Sequence, residues 1–359
     1  MMRLSSKCLT GVLAIGLTMP LSAQQFHAGD PVVSGVTYLD VARAGDRVVA
    51  VGDRGNIIYS DDGARSWSQA QVPAEALLTA VCFADESHGW AVGHDALILG
   101  TVDGGQTWSK QYSDVLGSGE AEVAEEDVYS DDIYSDDLYS DDLYSDDPYA
   151  ESAAPAVDTS GAPFLDVLCF SAERAIAVGG FGYVVETTDA GGTWEKRMDR
   201  VQNSDGWHIY GIAAVPATDT LLMVGEKGTL YRSRDNGNSW KKLDSPYEGS
   251  FFGITPLGPA QAVIYGLQGN VWVTRDQGQS WRKVKTGVTR GITDGVVLDD
   301  GTVVLVGGSG LILVSRDNMN SAALQYLPDR DSVSGVITMP GGDLLMAGEA
   351  GAKLVSGIK

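Results

Sequence analysis

One spacing governs this sequence. A glycine, usually preceded by valine, is followed three residues later by a second glycine, and the pair returns about every 41 residues: Gly52 and Gly55, Gly179 and Gly182, Gly225 and Gly228, Gly266 and Gly269, Gly307 and Gly310, Gly348 and Gly351. Gly93 is a seventh case, with Ala96 in the second place. A fixed period of this length marks a repeat architecture, in which each unit buries its apolar faces only against its neighbours. Within a unit, short β-branched runs alternate with turn signals; in the fifth they fall at 252–256, 262–265, 270–274 and 280–284. Four short strands per unit predict an all-β fold, a seven-bladed β-propeller of four-stranded antiparallel blades. The seventh unit shows three runs, at 333–338, 343–347 and 352–356. Residues 26–33 are expected to complete it as its outer strand, hiding a sheet edge.

A second motif, S/T-x-D-x-G-x-S/T-W, closes six of the units. It supplies the pairs Asp62 and Trp67, Asp103 and Trp108, Asp189 and Trp194, Asp235 and Trp240, and Asp276 and Trp281. Asp317 heads a drifted copy, SRDNMNSA, without the glycine or the tryptophan, and Ala64 fills the glycine place of the first copy. This is the Asp-box, or bacterial neuraminidase repeat. Its aspartate can accept backbone N–H bonds within a tight turn, its glycine permits positive φ, and its tryptophan packs under the hairpin. The six aspartates are therefore structural turn residues rather than a catalytic set.

Residues 1–23 read as a secretory signal: Arg3 and Lys7, an apolar run from Leu9 to Leu17, and a small-residue cleavage site at Ala23. That run is too short to span a bilayer. Residues 24–359 then form one propeller, interrupted at 113–162 between blades 2 and 3. The interruption accounts for the 86 residues between Gly93 and Gly179. Its centre repeats Y-S-D-D every five residues from Tyr129 to Tyr149, a period that suits neither helix nor strand. Fourteen acids and no base lie between Glu120 and Glu151, and the whole chain carries −23. Such charge opposes collapse and repels nucleic acid and anionic lipid. A solvated spacer, a contact for a basic partner and weak cation binding are its three readings. Cys82 and Cys169 sit at matching places in adjacent repeats, LTAVCF and LDVLCF. An oxidising compartment allows a disulfide, but matching places put both side chains on the same face of their own sheets, which favours two buried free thiols.

Strand alternation puts the Asp-box turns on one face of the ring and the V-G-x-x-G turns and inter-blade links on the other. On the Asp-box face, Arg234, Arg275 and Arg316 share one repeat position in blades 4 to 6. They are either a solvated surface paired with local carboxylates or a docking patch for an acidic partner. His27, His88, His94 and His208 show no ligand spacing, and there is no nucleotide or nucleophile-elbow motif, so neither a metal, a cofactor nor a catalytic residue is expected.

The stretches VAVGDRGNIIYSDDGARSW, AVGGFGYVVETTDAGGTW and LMVGEKGTLYRSRDNGNSW resemble the photosystem II stability and assembly factor family of cyanobacteria and plastids. The resemblance implies an exported, seven-bladed, non-catalytic propeller in the periplasm or thylakoid lumen. It would be peripheral to the membrane at most and monomeric, and would escort a subunit of a membrane complex. It also implies an arginine-bearing surface, for which Arg234, Arg275 and Arg316 are candidates. The YSDD insertion departs from that pattern. Asp-boxes also occur in sialidases, which hold a carboxylate with three arginines. Arg54, Arg290 and Arg330 could serve, although the Arg-Ile-Pro motif of those enzymes is absent. A carbohydrate-binding module using the aromatic links around Trp207 and Phe252 is the third alternative.

Overall fold

The computed structural model describes residues 24–114 and 161–358; the signal segment and the YSDD repeats lie outside them. Seven antiparallel sheets follow one another along the chain. Blades 2 to 6 have four strands each, blade 1 has five and blade 7 has three. The first strand of blades 2 to 7, and Tyr38–Ala44 of blade 1, lie innermost and meet the corresponding strands of the neighbouring blades. The second and third strands are almost wholly buried, as in AIAVG (Ala175–Gly179) and VVET (Val184–Thr187) of blade 3. Both of their faces pack against other blades, so they read as continuous apolar runs rather than as alternating ones.

The recurrent glycines have two separate jobs. At each first glycine, the chain entering the blade runs directly against the Cα. A methyl group there would collide with the carbonyl of Thr37, Leu77, Pro163, His208, Ser250, Gly291 or Ser332, in blade order. The residue after that glycine donates its N–H to the same carbonyl, from Asp53 to Thr37 (2.9 Å) in blade 1 through Glu349 to Ser332 (3.2 Å) in blade 7. The second glycine has φ between 66° and 89° wherever it occurs, and Ala96 adopts 48° in its stead. That left-handed conformation suits glycine best. Replacing Gly225 by alanine should therefore cost about 1–3 kcal/mol through overpacking. Thermal unfolding of Gly225→Ala would show it, and an unchanged melting temperature would contradict this account of the motif.

The N-terminal segment does close the ring, but its strand joins a different ladder from the one expected. Gln25–His27 pairs with Ser66–Gln69, the outer strand of blade 1, placing Phe26 opposite Trp67. Blade 7 keeps three strands, Val333–Thr338, Leu344–Gly348 and Gly351–Val355. The sequence itself breaks a strand over 26–33. Gly29-Asp30-Pro31 turns the chain, Asp30 accepts the His27 N–H (2.7 Å), and proline cannot donate to a ladder. A helical turn, Pro31–Ser34, follows. Its buried Val33 joins the core between blades 7 and 1 with Leu345, Ala347 and Trp67.

Cys82 and Cys169 form a disulfide, with Cα atoms 5.8 Å apart, which overturns the expectation of free thiols. The ladder registers supply the reason. Leu78 and Phe164 both stand opposite the first glycine of their blades, so Cys82 corresponds to Leu168 and not to Cys169. Cys82 lies eleven residues before Gly93, whereas Cys169 lies ten before Gly179. A slip of one residue turns a side chain to the opposite face of its sheet. The two sulfurs therefore face each other across the core between blades 2 and 3. Replacing both cysteines by alanine should lower stability by about 2–4 kcal/mol. Denaturant melts with and without reductant, which should affect only the parent chain, would measure this.

Candidate functional site

The six Asp-boxes share one hydrogen-bond scheme. One carboxylate oxygen accepts the hydroxyl two residues earlier and the N–H four residues later, as Asp235 does from Ser233 (2.7 Å) and Ser239 (2.9 Å). The other oxygen accepts the hydroxyl of the later residue, here Ser239 at 2.6 Å. The drifted sixth copy keeps every one of these bonds through Asp317, Ser315 and Ser321. Met319, in its glycine place, takes φ 60°, and Ala64 of the first copy takes 66°. The pKa of Asp317 is lowered to about 2, chiefly by Ser321; for Asp62 partial desolvation is outweighed by bonds from Ser66, Ser60 and Arg65, and its pKa also falls to about 2.

Beyond lying under its hairpin, each tryptophan plugs the interface with the preceding blade. Trp67 fills the core between blades 7 and 1, Trp108 that between 1 and 2, Trp194 between 2 and 3, and Trp240 between 3 and 4. A side chain of each blade from 1 to 5 then ties the next Asp-box by donating to a carbonyl at its tip. Arg47 donates to Gly104 (3.1 Å), Gln111 to Ala190 (3.2 Å), Arg174 to Asn236 (2.6 Å), Arg232 to Gln277 (3.0 Å) and Arg282 to Met319 (2.8 Å). The Asp-boxes thus link the ring circumferentially as well as closing their own turns.

Of the three arginines singled out on this face, Arg275 donates to Asn318 (3.3 Å) and Asn320 (3.0 Å) in the box of blade 6. Arg316 stands by Asp300, whose carboxyl is lowered mainly by Thr302 and further by this guanidinium. Arg234 lies near Arg232, which burial and this second positive charge shift below the usual guanidinium value. A denser basic cluster, not anticipated from the sequence, lies between blades 3 and 4. The Glu186 carboxylate is buried and takes Arg174 (2.9 Å), Arg197 (3.2 Å) and Arg200 (3.0 Å). Burial would raise its pKa, but the guanidiniums hold it below the ordinary value. Only the interior position of a glutamate in VVET marks it in the sequence.

The opposite face carries the V-G-x-x-G turns, with Phe181, His208, Tyr210 and Phe252 in one chain of ring contacts. Phe181 contacts His208, which contacts Tyr210, which contacts Phe252, while Lys227 lies 3.9 Å over Trp207. The YSDD insertion leaves from this face too. Its flanks meet where Gly161 donates to Asp114 (2.6 Å), and Asp114 is held by Lys196 and Tyr183. Arg54, Arg290 and Arg330 are not drawn into one site: Arg54 projects beside Asp53, and Arg330 stacks on Tyr326 at 3.8 Å. Among the described residues no group of three His, Cys, Asp or Glu side chains could hold a metal.

Three carboxylates that sequence reasoning passed over occupy the innermost strands. Asp40, Asp166 and Asp294 sit at the irregular step of the first strand in blades 1, 3 and 6. Each accepts the following N–H of its own strand and reaches across to the next blade, to Val81 (2.8 Å), Ile212 (2.8 Å) and Val336 (2.7 Å). They also repel one another, although they come from opposite sides of the ring, which places them at its axis. The recurring L-D-V, L-D-V and T-D-G at equal repeat positions was the available signal. Each residue is only partly buried, yet desolvation dominates, raising Asp166 to about 7, Asp294 to about 6 and Asp40 well above its ordinary value.

These features define the class: an Asp-box propeller whose blades are tied at rim and axis. The model of the family described as "Photosynthesis system II assembly factor YCF48" matches residues 63–135 and 153–310, and the chain belongs to this family. Photosystem II assembly protein Ycf48 of Thermosynechococcus vestitus is 45% identical over 42 residues, 12% of each chain. The chloroplastic stability/assembly factor HCF136 of Cyanidioschyzon merolae is 42% identical over 53 residues, 14% of this chain and 12% of that one. The chain thus matches only about an eighth of the length of these relatives. Among solved structures, YCF48 bound to D1 peptide has a TM-score of 0.65 at 17% identity, covering 94% of this chain and 97% of that one. The WD40 propeller of Doa1 scores 0.63 at 13% identity, covering 91% and 95%, so these likenesses establish the fold.

The two kinds of carboxylate set opposite pH dependences. The lowered Asp-box groups stabilise the fold above their unfolded value near 4 and lose that contribution as pH falls towards 2. The raised axial groups bind more protons when folded, so stability should decline as pH rises from about 4 to 7, by at most about 1.4 kcal/mol per unit for each carboxylate. Melting temperatures from pH 4 to 8 should fall for the parent chain. Asp166→Asn should flatten that slope while melting lower at pH 5, because an amide cannot accept both N–H bonds. An equal slope in the two proteins would refute the assignment.

Proposed function

We propose that this protein is an exported, non-catalytic scaffold that holds a segment of a membrane-complex subunit during assembly, as a photosystem II assembly factor would. The observation that carries the reading is the family match across blades 1 to 6, on a ring whose seven sheets are tied together at rim and axis. The D1 peptide bound by a structurally similar propeller indicates the kind of client, a peptide from a photosystem subunit. Export through a signal cleaved near Ala23, to a periplasm or thylakoid lumen, agrees with the Cys82–Cys169 disulfide, since such bonds persist in oxidising compartments. Among the described residues no helix is long and apolar enough to cross a membrane; in this reading the protein acts as a monomer, peripheral to the membrane at most. In this reading Arg234, Arg275 and Arg316 form the docking arc, and the acidic insertion is a spacer beside the opposite face.

Affinity recovery with the tagged chain from native envelope or thylakoid membranes, followed by mass spectrometry, tests it. A photosystem or other membrane-complex subunit should be enriched at least tenfold over recovery with the R234E/R275E/R316E chain. Equal enrichment would remove the arc, and absence of any such subunit would remove the scaffold. Turnover of a fluorogenic sialoside that disappears in Arg290→Ala would establish an enzyme instead.

A further inference from the structure

Blade 7 differs from the other six at its outer rim. Among the described residues its sheet ends at Gly351–Val355, and the N-terminal strand that could have covered this edge pairs with blade 1. The helical turn Pro31–Ser34 lies only against the start of the edge, where Val33 abuts Gly351. Gly348 and Gly351 flank a two-residue turn, so hydrogen-bonded and open pairs alternate along the hairpin. That alternation directs the N–H and C=O groups of Ala352 and Leu354 outward, and Leu354 is 44% exposed.

The vacancy extends to the Asp-box position. In blades 2 to 5 the residue after the box aspartate donates its N–H to the first hairpin of the same blade, at Ser87, Glu173, Asp219 and Ala260. The equivalent carbonyl in blade 7 belongs to Gly342; among the described residues it accepts no backbone N–H, as is also true of Asp46 and Gly301 in blades 1 and 6. No box tryptophan enters the core between blades 6 and 7, where Val355 and Ile358 lie instead. Beside them opens a cleft of about 340 Å³ lined by Leu298, Met339, Ile358, Arg316 and Gly342, among others. Ladder groups, an acceptor and a cleft of mixed polar and apolar lining, with Leu298, Met339 and Ile358 beside Asp299 and Asp300, are therefore all present for one extended segment.

The chemistry of that segment can be read from the chain's own outer strands and from the surrounding charge. In blades 2 to 5 a lysine follows the box tryptophan by two residues: Trp108 and Lys110, Trp194 and Lys196, Trp240 and Lys242, Trp281 and Lys283. The edge of blade 7 is acidic, with Asp299 and Asp300 by the cleft and Asp329 and Asp331 at the other end, where both contact Lys353. We propose that the free edge of blade 7 is a docking site for an extended segment of a partner protein bearing an aromatic-x-basic pattern. That segment adds as the fourth strand, with its aromatic side chain in the cleft between blades 6 and 7 and its base toward the flanking carboxylates.

A labelled synthetic peptide copying residues 235–244, DNGNSWKKLD, serves as the probe, with fluorescence anisotropy on the full chain as the readout. Saturable binding is expected, weakened at least tenfold when the peptide tryptophan becomes alanine and at least tenfold by Leu354→Pro, which removes an outward N–H while leaving the inner ladder intact. A second chain, in which the same ten residues are fused after Val355 through a short Gly-Ser linker, should melt higher than the parent and no longer bind free peptide. A cooperative melt of the fused chain separates edge occupancy from misfolding in the proline variant. Absence of binding to the parent at millimolar peptide would overturn the proposal. Equal binding by the fused chain, or by a natively melting proline variant, would overturn it too.

Discussion

The ring depends on one close approach repeated seven times: the backbone entering each blade lies on the bare Cα of the glycine that ends the second strand. No side chain could occupy that space, so the innermost strand can dock only where glycine stands. The N–H of the next residue then bonds the same carbonyl. The 41-residue period is the trace of this contact. Each contact fixes the height at which a blade enters the ring, and hence the depth at which its Asp-box turn emerges on the far face.

From that fixed frame the blades are tied at two radii. At the rim, a guanidinium or amide from one blade caps the box of the next, and the box tryptophan fills the gap between them. At the axis, Asp40, Asp166 and Asp294 reach across to the neighbouring innermost strand. The axial carboxylates accept their bridging bonds at a cost in desolvation, so the fold loses stability where they ionise even though the bonds themselves favour the charged form. The rim ties consist mainly of bonds to backbone carbonyls and do not titrate. Such a frame presents loops on both faces of the ring.

Much of this was legible beforehand because it is local. The strand runs, the glycine pairs and the six aspartates each act within one unit, so periodicity alone located them, including the drifted Asp317. The reading failed wherever the answer depended on register between distant segments. LTAVCF and LDVLCF look aligned, but one extra residue between Cys82 and Gly93 turns that thiol to the other face and makes the disulfide possible. The segment 26–33 contained its own refutation in Gly29-Asp30-Pro31, yet only the ladder shows that its strand belongs beside Trp67.

By itself, then, the sequence determined the architecture, the number of blades and the turn chemistry, because a repeat writes the same short-range requirements seven times over. Tertiary structure alone decided which side chains meet across blades: Glu186 with three arginines, the carboxylates at the axis, and the open rim of blade 7. These are contacts between copies rather than within one. A period records what every copy needs and carries no information about how unlike residues in neighbouring copies face one another.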